Sequence, residues 1–280
     1  MNAPIGVFDS GIGGLSVLKA LRAELPNEHF IYIADSGHAP YGERDDAHVL
    51  ARSRILTAHL VDKNVKAVVI ACNTATAAAI DQLRADYPLL PLIGVEPALK
   101  PAALLSQTRR IGVMATRSTL ASSRFKGLLD SLTGQQAAFV LQPCDGLADA
   151  IERDIVSGTG AHATAENATN IIAICARNVR AMGRFGLETG EIDTLVLGCT
   201  HYPFATEALR SLLGPGVQIV DTGAPIARQT RLRLPAGTPQ PGAAAAAGRI
   251  QLFTTGQAST LQAAGQRWLQ VRSHVELLHI

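Results

Sequence analysis

The sharpest chemical question in this 280-residue sequence is posed by its four cysteines, Cys72, Cys144, Cys175 and Cys199. No two form a Cys-x-x-Cys pair, so neither a zinc knuckle nor a thioredoxin-type site is expected. Two of the four share a context. Ala67-Val68-Val69-Ile70-Ala71-Cys72-Asn73-Thr74 and Thr194-Leu195-Val196-Leu197-Gly198-Cys199-Thr200-His201 each set a thiol at the end of a buried apolar run, followed by amide or hydroxyl groups. A cysteine taken at random is most often a small buried apolar residue. Matched placement at strand ends, beside polar neighbours, favours a reactive thiol instead. Cys144 is expected to be structural, as is Cys175 on a helix face with Ile171, Ile172 and Val179.

Asp9-Ser10 also stands at a strand end, where ligands of open α/β sheets bind. It opens the turn Asp9-Ser10-Gly11-Ile12-Gly13-Gly14-Leu15-Ser16. A dinucleotide fingerprint would need glycine where Ser16 stands, and Asp9 would repel a pyrophosphate. The turn is read instead as letting backbone approach a small ligand, with amides open to a carboxylate. The plainer reading is a tight turn without a ligand. Likewise, Ser10, Thr74 and Thr200 could receive substrate carboxylates or serve as helix caps.

The elements that must position these groups alternate. Apolar runs at Ile5–Phe8, Phe30–Ala34, Val65–Ala71, Leu92–Val95, Ile111–Ala115, Phe139–Gln142, Leu195–Gly198, Val217–Val220 and Ile250–Phe253 read as strands, with helical patterns between them. Leu15, Leu18, Leu21 and Leu25 repeat at near-helical spacing. Continuous apolar strands separated by helices predict an α/β fold with mostly parallel sheet. Ile5–Ser10 and Ile111–Thr116 are a second internal echo, which suggests two similar lobes. Pro235–Gly248, with its five alanines, reads as a surface loop.

Composition narrows the function. An apolar fraction of 47% with 17% charged residues is that of a globular protein. A net charge of +2 with scattered basic residues argues against nucleic acid as the main partner. No apolar run approaches the roughly 20 residues that span a bilayer. The N-terminus lacks a signal-peptide pattern, so a cytoplasmic location is expected.

Asp-Ser-Gly-Ile-Gly-Gly-Leu-Ser-Val-Leu, Pro40-Tyr41-Gly42, Ala-Cys-Asn-Thr-Ala-Thr-Ala and Leu-Gly-Cys-Thr-His-Tyr-Pro, in that order, resemble the glutamate racemases of the aspartate/glutamate racemase superfamily. The resemblance runs from about Ile5 to Asp221 and resumes at Leu252-Phe253-Thr254-Thr255-Gly256. It implies two pseudosymmetric α/β lobes, each a mostly parallel sheet flanked by helices, with the active site in the cleft between them. Residues 1–97 with 225–280 would form the first lobe and 98–224 the second. The implied reaction interconverts L- and D-glutamate without pyridoxal phosphate or metal, and supplies D-glutamate for peptidoglycan synthesis. The implied partner is the small-molecule substrate, with no nucleic acid or membrane required, and a homodimer is compatible with the sequence.

Carried over by position, Cys72 and Cys199 match the two catalytic cysteines of the family. Asp9, Glu152 and His201 match groups that assist proton transfer. Asp9-Ser10, Pro40-Tyr41-Gly42, Asn73-Thr74 and Thr200-His201 match substrate-contacting segments. Glu152 is placed by its distance from Cys144, because Pro143-Cys144-Asp145-Gly146-Leu147 departs from the usual Cys-Pro pair. The Ala-rich stretch has no counterpart in the family pattern.

Inverting an α-carbon removes a proton from one face and returns one to the other, and two groups on opposite faces do this without reorientation. A free thiol with a pKa of about 8.5 is only slightly ionised near neutrality. Its neighbours must therefore choose the base. Asp9 is expected beside Cys72, as proton acceptor or partner of the substrate ammonium. His201 is expected beside Cys199, where an imidazolium favours the thiolate, with Glu152 orienting it. The alternatives are a racemase acting on aspartate, another two-cysteine isomerase, and a two-lobed binding protein. The last gives no reason for two strand-end thiols in register.

Overall fold

A computed structural model describes residues 3–132, 137–157, 164–234 and 247–280. The chain divides into two compact units, Met1–Val95 with Gly223–Ile280, and Glu96–Thr222. Most of the Ala-rich stretch falls outside the described residues.

The first unit is built on a six-stranded sheet. Its strands are β1 (Ile5–Asp9), β2 (Phe30–Ala34), β3 (Ala67–Ile70), β4 (Leu92–Gly94), β9 (Ile250–Thr254) and β10 (Val275–Leu277). They lie in the order β10-β9-β2-β1-β3-β4, every pair parallel. All residues of β1, β2 and β3 are buried, which is why these strands read as unbroken apolar runs. The helices are α1 (Leu15–Glu24), α2 (Asp46–Asp62), α3 (Asn73–Asp86), α10 (Gly223–Arg233) and α11 (Ala258–Leu269). Helix α1 packs with α10 and α11, and α2 packs with α3. Leu15, Val17, Leu18 and Leu21 form the buried stripe of α1. On the α2–α3 side, Leu56, Leu60, Ile80 and Leu83 close over Phe8, Val68 and Ile70.

The second unit carries four parallel strands, β5 (Arg110–Ala115), β6 (Ala138–Pro143), β7 (Thr194–Gly198) and β8 (Gln218–Val220), in the order β6-β5-β7-β8. Its helices are α4 (Leu99–Leu105), α5 (Arg117–Ala121), α6 (Ser123–Asp130), α7 (Leu147–Ser157), α8 (Thr164–Met182) and α9 (Thr206–Leu213). Ile111, Val113, Val196 and Phe125 anchor its core against α4 and α6.

The order β6-β5-β7-β8 repeats β2-β1-β3-β4. The internal echoes fall on equivalent strands, β1 with β5 and β3 with β7. In each sheet the chain leaves the central pair in opposite directions, to β2 and β4 in one and to β6 and β8 in the other. The carboxyl ends of that pair flank a topological switch point, the place where such sheets bind ligands. Cys72 follows β3 and Cys199 follows β7, so each thiol stands at the switch point of its own sheet.

Candidate active site

In the first unit, the ends of β1, β2, β3 and β9 bring Asp9, Asp35, Cys72 and Thr255 to one edge of the sheet. Cys72 is 5% exposed and is the N-cap of α3, where its Sγ accepts from the Ala75 amide at 3.4 Å. An N-terminal turn suits a thiolate, because its free amides carry partial positive charge. The cap is thus the thiol itself, and Thr74, offered as a cap by the sequence, lies within the first turn.

The Cys72 thiol donates to Ser10 Oγ at 3.7 Å, and Ser10 Oγ in turn lies 3.3 Å from Asp9 Oδ1. Ser10 therefore links Asp9 to the thiol. The fully buried Asp9 carboxylate also accepts from the Ser10 amide at 2.7 Å and from the Gly14 amide. Two amides expected to be open to a ligand are therefore occupied by the chain's own carboxylate. The glycine requirement has a similar source. A Cβ on Gly14 would lie 2.6 Å from the Asp9 Cβ and 2.8 Å from the Tyr32 hydroxyl, which donates to the Gly11 carbonyl. The close approach at Gly14 is to Asp9 and Tyr32.

Asn73, next to Cys72, is 4% exposed, and neither its amide oxygen nor its amide nitrogen has a partner among the described residues. Burying an unpaired amide costs about 1–3 kcal/mol, and native structures seldom leave one without a reason.

Pro40-Tyr41-Gly42 enters through a cis Ala39-Pro40 bond into a single 3-10 turn, Tyr41–Glu43. The Tyr41 ring is buried, and its hydroxyl donates to Asp35 Oδ2 at 2.5 Å. Asp35, which the sequence reading passed over, is the hub here. It is fully buried and accepts from Arg52 Nε at 3.0 Å, from Arg52 Nη2 at 2.9 Å and from Thr255 Oγ1 at 2.8 Å. Its Oδ1 also lies 3.1 Å from His38 Nδ1. Burial alone would raise its pKa, but the Arg52, Tyr41 and Thr255 hydrogen bonds outweigh that and hold the carboxyl below its usual range. Burial and the Asp35 charge push the Tyr41 phenol up, so it stays a neutral donor. One signal could have found Asp35: it stands at the carboxyl end of a buried strand, as Asp9 does. Arg52 gave none, since nothing in the sequence sets it apart from Arg54 in the same helix.

In the second unit, Cys199 is 7% exposed, Thr200 is buried, and the chain then turns into a short 3-10 segment, Tyr202–Ala205. His201 is buried between two partners. Its Nδ1 lies 3.8 Å from Cys199 Sγ, and its Nε2 lies 2.8 Å from Oε1 of Glu152 on α7. Burial by itself would lower the imidazole pKa, but Cys199 and Glu152 outweigh it and hold the ring well above the usual histidine range. With a carboxylate on one side and a thiol on the other, the protonated ring is a positive charge fixed against Cys199.

The other two cysteines are placed differently. Cys144 is 3% exposed and donates to the Gln142 carbonyl at 3.4 Å, and burial pushes its thiol pKa up. Cys175 is fully buried, and burial raises its pKa to about 11. Ile172, expected on its face of α8, is 44% exposed; the buried positions there are Cys175, Asn178 and Met182. Helical spacing puts 175, 178 and 182 on one side, and the polar Asn178 hid that face from an apolar count. Among the described residues, no cluster of histidine, cysteine, aspartate and glutamate could hold a metal, and no helix is long and apolar enough to cross a membrane.

The described residues define an α/β protein of two doubly wound parallel sheets, each with a thiol at its switch point, one of them beside a His–Glu pair. Residues 5–230 match the model of the Asp/Glu/Hydantoin racemase family. A glutamate racemase from Ectopseudomonas mendocina is 46% identical over 227 residues, 81% of this chain and 80% of that protein. Another from Cupriavidus pinatubonensis is 46% identical over 232 residues, covering 83% and 79%. Among solved structures, a glutamate racemase from Bacillus anthracis superposes with a TM-score of 0.83 at 28% identity, covering 99% of this chain and 98% of its own. The Escherichia coli glutamate racemase, solved with L-glutamate and the activator UDP-MurNAc-ala, gives 0.79 at 31% identity, with coverage of 99% and 98%. The chain belongs to the Asp/Glu/hydantoin racemase family and is an isomerase.

Proposed function

We propose that the protein is a glutamate racemase that inverts the α-carbon by two-base proton transfer, with Cys72 and Cys199 as the two proton-transfer groups. The observation that carries this reading is the matched position of the two thiols at the switch points of equivalent sheets. One thiolate takes the α-proton, the other thiol delivers a proton to the opposite face, and the reverse reaction exchanges their roles. Cys199 draws its thiolate character from His201, which Glu152 holds as an imidazolium. Cys72 draws its own from the amides that open α3. Asp9, reaching Cys72 through Ser10, relays a proton or meets the substrate ammonium.

Ser10, Asn73, Thr74 and Thr200 receive the substrate carboxylates, and the unpartnered Asn73 amide is the clearest vacancy for one. Preorganised donors of this kind contribute several kcal/mol as carbanion charge develops. Pro40-Tyr41-Gly42 shapes the wall, with Tyr41 held from behind by Asp35. His201 completes the substrate-contacting set beside Thr200. Glutamate is favoured over aspartate by the Asp9-Ser10-Gly11 and Cys199-Thr200-His201 forms and by the names of the relatives at 46% identity. In the cell, a cytoplasmic enzyme of this kind supplies D-glutamate to peptidoglycan synthesis.

The test is incubation of metal-stripped protein with L-glutamate in deuterium oxide, without added cofactor. D-glutamate carrying solvent deuterium, lost in Cys72→Ser and in Cys199→Ser, is the expected result. Exchange that persists in one variant while inversion stops would assign each thiol to one face. A folded protein that neither inverts nor exchanges glutamate would refute the proposal, and an aspartate arm run in parallel decides the nearest alternative. Sedimentation of the same preparation reads out a homodimer.

A further inference from the structure

A concave feature lies at the end of the first sheet opposite Asp9 and Cys72. A cavity of about 580 Å³ opens at the amino ends of its strands, away from Asp9 and Cys72, and its lining includes Pro4, His29, Phe30, Lys63, Arg249 and Gln251. That volume falls in the range of small-molecule sites, roughly 300–1,000 Å³. Two permanent cations and an imidazole line it, and no lining residue is a carboxylate. Neither Arg249 nor Lys63 makes an ion pair with a carboxylate among the described residues. The acid next to His29 in sequence, Glu28, is committed to Lys66 at 2.5 Å.

The cationic groups are set by backbone constraints. The Gly248 amide bonds the Pro26 carbonyl at 2.9 Å, and a Cβ on Gly248 would fall 1.7 Å from the Glu28 carbonyl oxygen. Only glycine allows that approach, and it seats Arg249 against the turn before β2. The Arg249 amide then donates to His29 Nδ1 at 2.9 Å. That bond needs a lone pair on Nδ1, so the neutral ring carries its proton on Nε2 and has a donor to spare. Lys63 follows α2, and Asn64 turns the chain there with φ of 56°. The ammonium of Lys63 stands 5.5 Å from the centre of the Phe253 ring.

We infer that this cavity binds a small organic phosphate, with Arg249, Lys63 and His29 taking the phosphate while Ala3 and Pro4, which also line it, receive the organic part. A guanidinium fork, a point charge and a neutral N–H donor together suit a phosphate dianion. The site is separate from the racemase centre and does not depend on its assignment.

The test uses the full chain with saturating glutamate present, titrated with phenyl phosphate and, separately, with inorganic phosphate, and followed by calorimetry. Phenyl phosphate is expected to bind saturably and more tightly than inorganic phosphate. Lys63→Gln with Arg249→Gln should weaken it at least about tenfold, in line with the loss of two charge-assisted contacts. Racemisation by that variant should match the parent, because both residues lie at the far end of the sheet. No saturable binding, binding unchanged in the variant, or displacement by glutamate would each overturn the inference. Inorganic phosphate binding as tightly as the ester would overturn the organic assignment.

Discussion

Replacing His201 by asparagine should remove a positive charge from beside Cys199 and slow catalysis most where Cys199 is the base. With 3.8 Å between Nδ1 and Sγ, Coulomb's law at an effective dielectric of about 20 puts about 4 kcal/mol on an imidazolium–thiolate pair. If about half of that is lost once water and the asparagine amide take over, the barrier rises by about 2 kcal/mol, or roughly 30-fold in rate. Enantiomers have equal free energy, so kcat/KM must fall alike in both directions whichever residue is changed. The asymmetry belongs in kcat for the two directions, measured separately from L- and D-glutamate. A direct readout is the rate of Cys199 alkylation at neutral pH in a Cys72→Ser background, where Cys144 and Cys175 react slowly because burial raises both their pKa values. Alkylation should slow when His201 becomes asparagine, and Glu152→Gln should slow it by less. Stability gives a third check. A histidine whose pKa is raised by folding stabilises the protein fully below the unfolded value and loses that contribution as the pH climbs through the folded value. The alkaline decline in stability should therefore be shallower in the asparagine variant. An unchanged alkylation rate would refute this, as would kcat values within twofold of the parent in both directions.

Four other outcomes follow from the structure. Asn73→Ala should leave the free protein as stable or slightly more stable, because it removes an unpaired buried amide, while raising KM roughly tenfold or more; a loss of stability with unchanged KM would make Asn73 a structural residue. Arg52→Met strands the buried Asp35 charge and should cost about 3–5 kcal/mol in chemical denaturation. Because folding lowers the Asp35 pKa, its contribution is present above the ordinary carboxylate range and disappears as the pH falls through the folded value, so Asp35→Asn should flatten the acid limb of the stability profile. Gly14→Ala forces a methyl against Asp9 and Tyr32 and should destabilise by about 1–3 kcal/mol with a fall in kcat, read by thermal melting and the racemase assay.

Much of the fold could be read from the chain because its sheets are parallel and their central strands are buried on both faces. Strands such as Phe30–Ala34 are then continuous apolar runs that periodicity alone detects. β10 escaped, being three residues long with only Val275 buried, too short for any periodic signal. The thiols were legible as candidates because each ends a long apolar run, and Glu152 was placed by its distance from Cys144 and the helix that follows. The Asp35 hub was not legible as a hub. Its members come from β2, α2, the Tyr41 turn and a strand 220 residues downstream, and a sequence carries no sign that such distant groups converge. The glycine turn was legible as a turn but not in its cause, since only coordinates reveal that Gly14 makes room for Asp9 and Tyr32.

The first unit is interrupted in sequence: its opening 95 residues wait for Gly223–Ile280 before the sheet is whole. Until β9 emerges from the ribosome, β2 is the unpaired margin of a four-stranded sheet. Phe30-Ile31-Tyr32-Ile33-Ala34 would present bare backbone and aromatic bulk with no charge to deter a neighbour. At about 5–20 residues per second, translating the intervening stretch leaves that margin open for roughly ten seconds or more. Nascent chains of this protein thus pass through a window in which self-pairing competes with maturation. Ribosomes that stall, or nonsense changes, between Thr222 and Ile250 should yield insoluble fragments, while the contiguous segment Glu96–Thr222 can already have closed on itself.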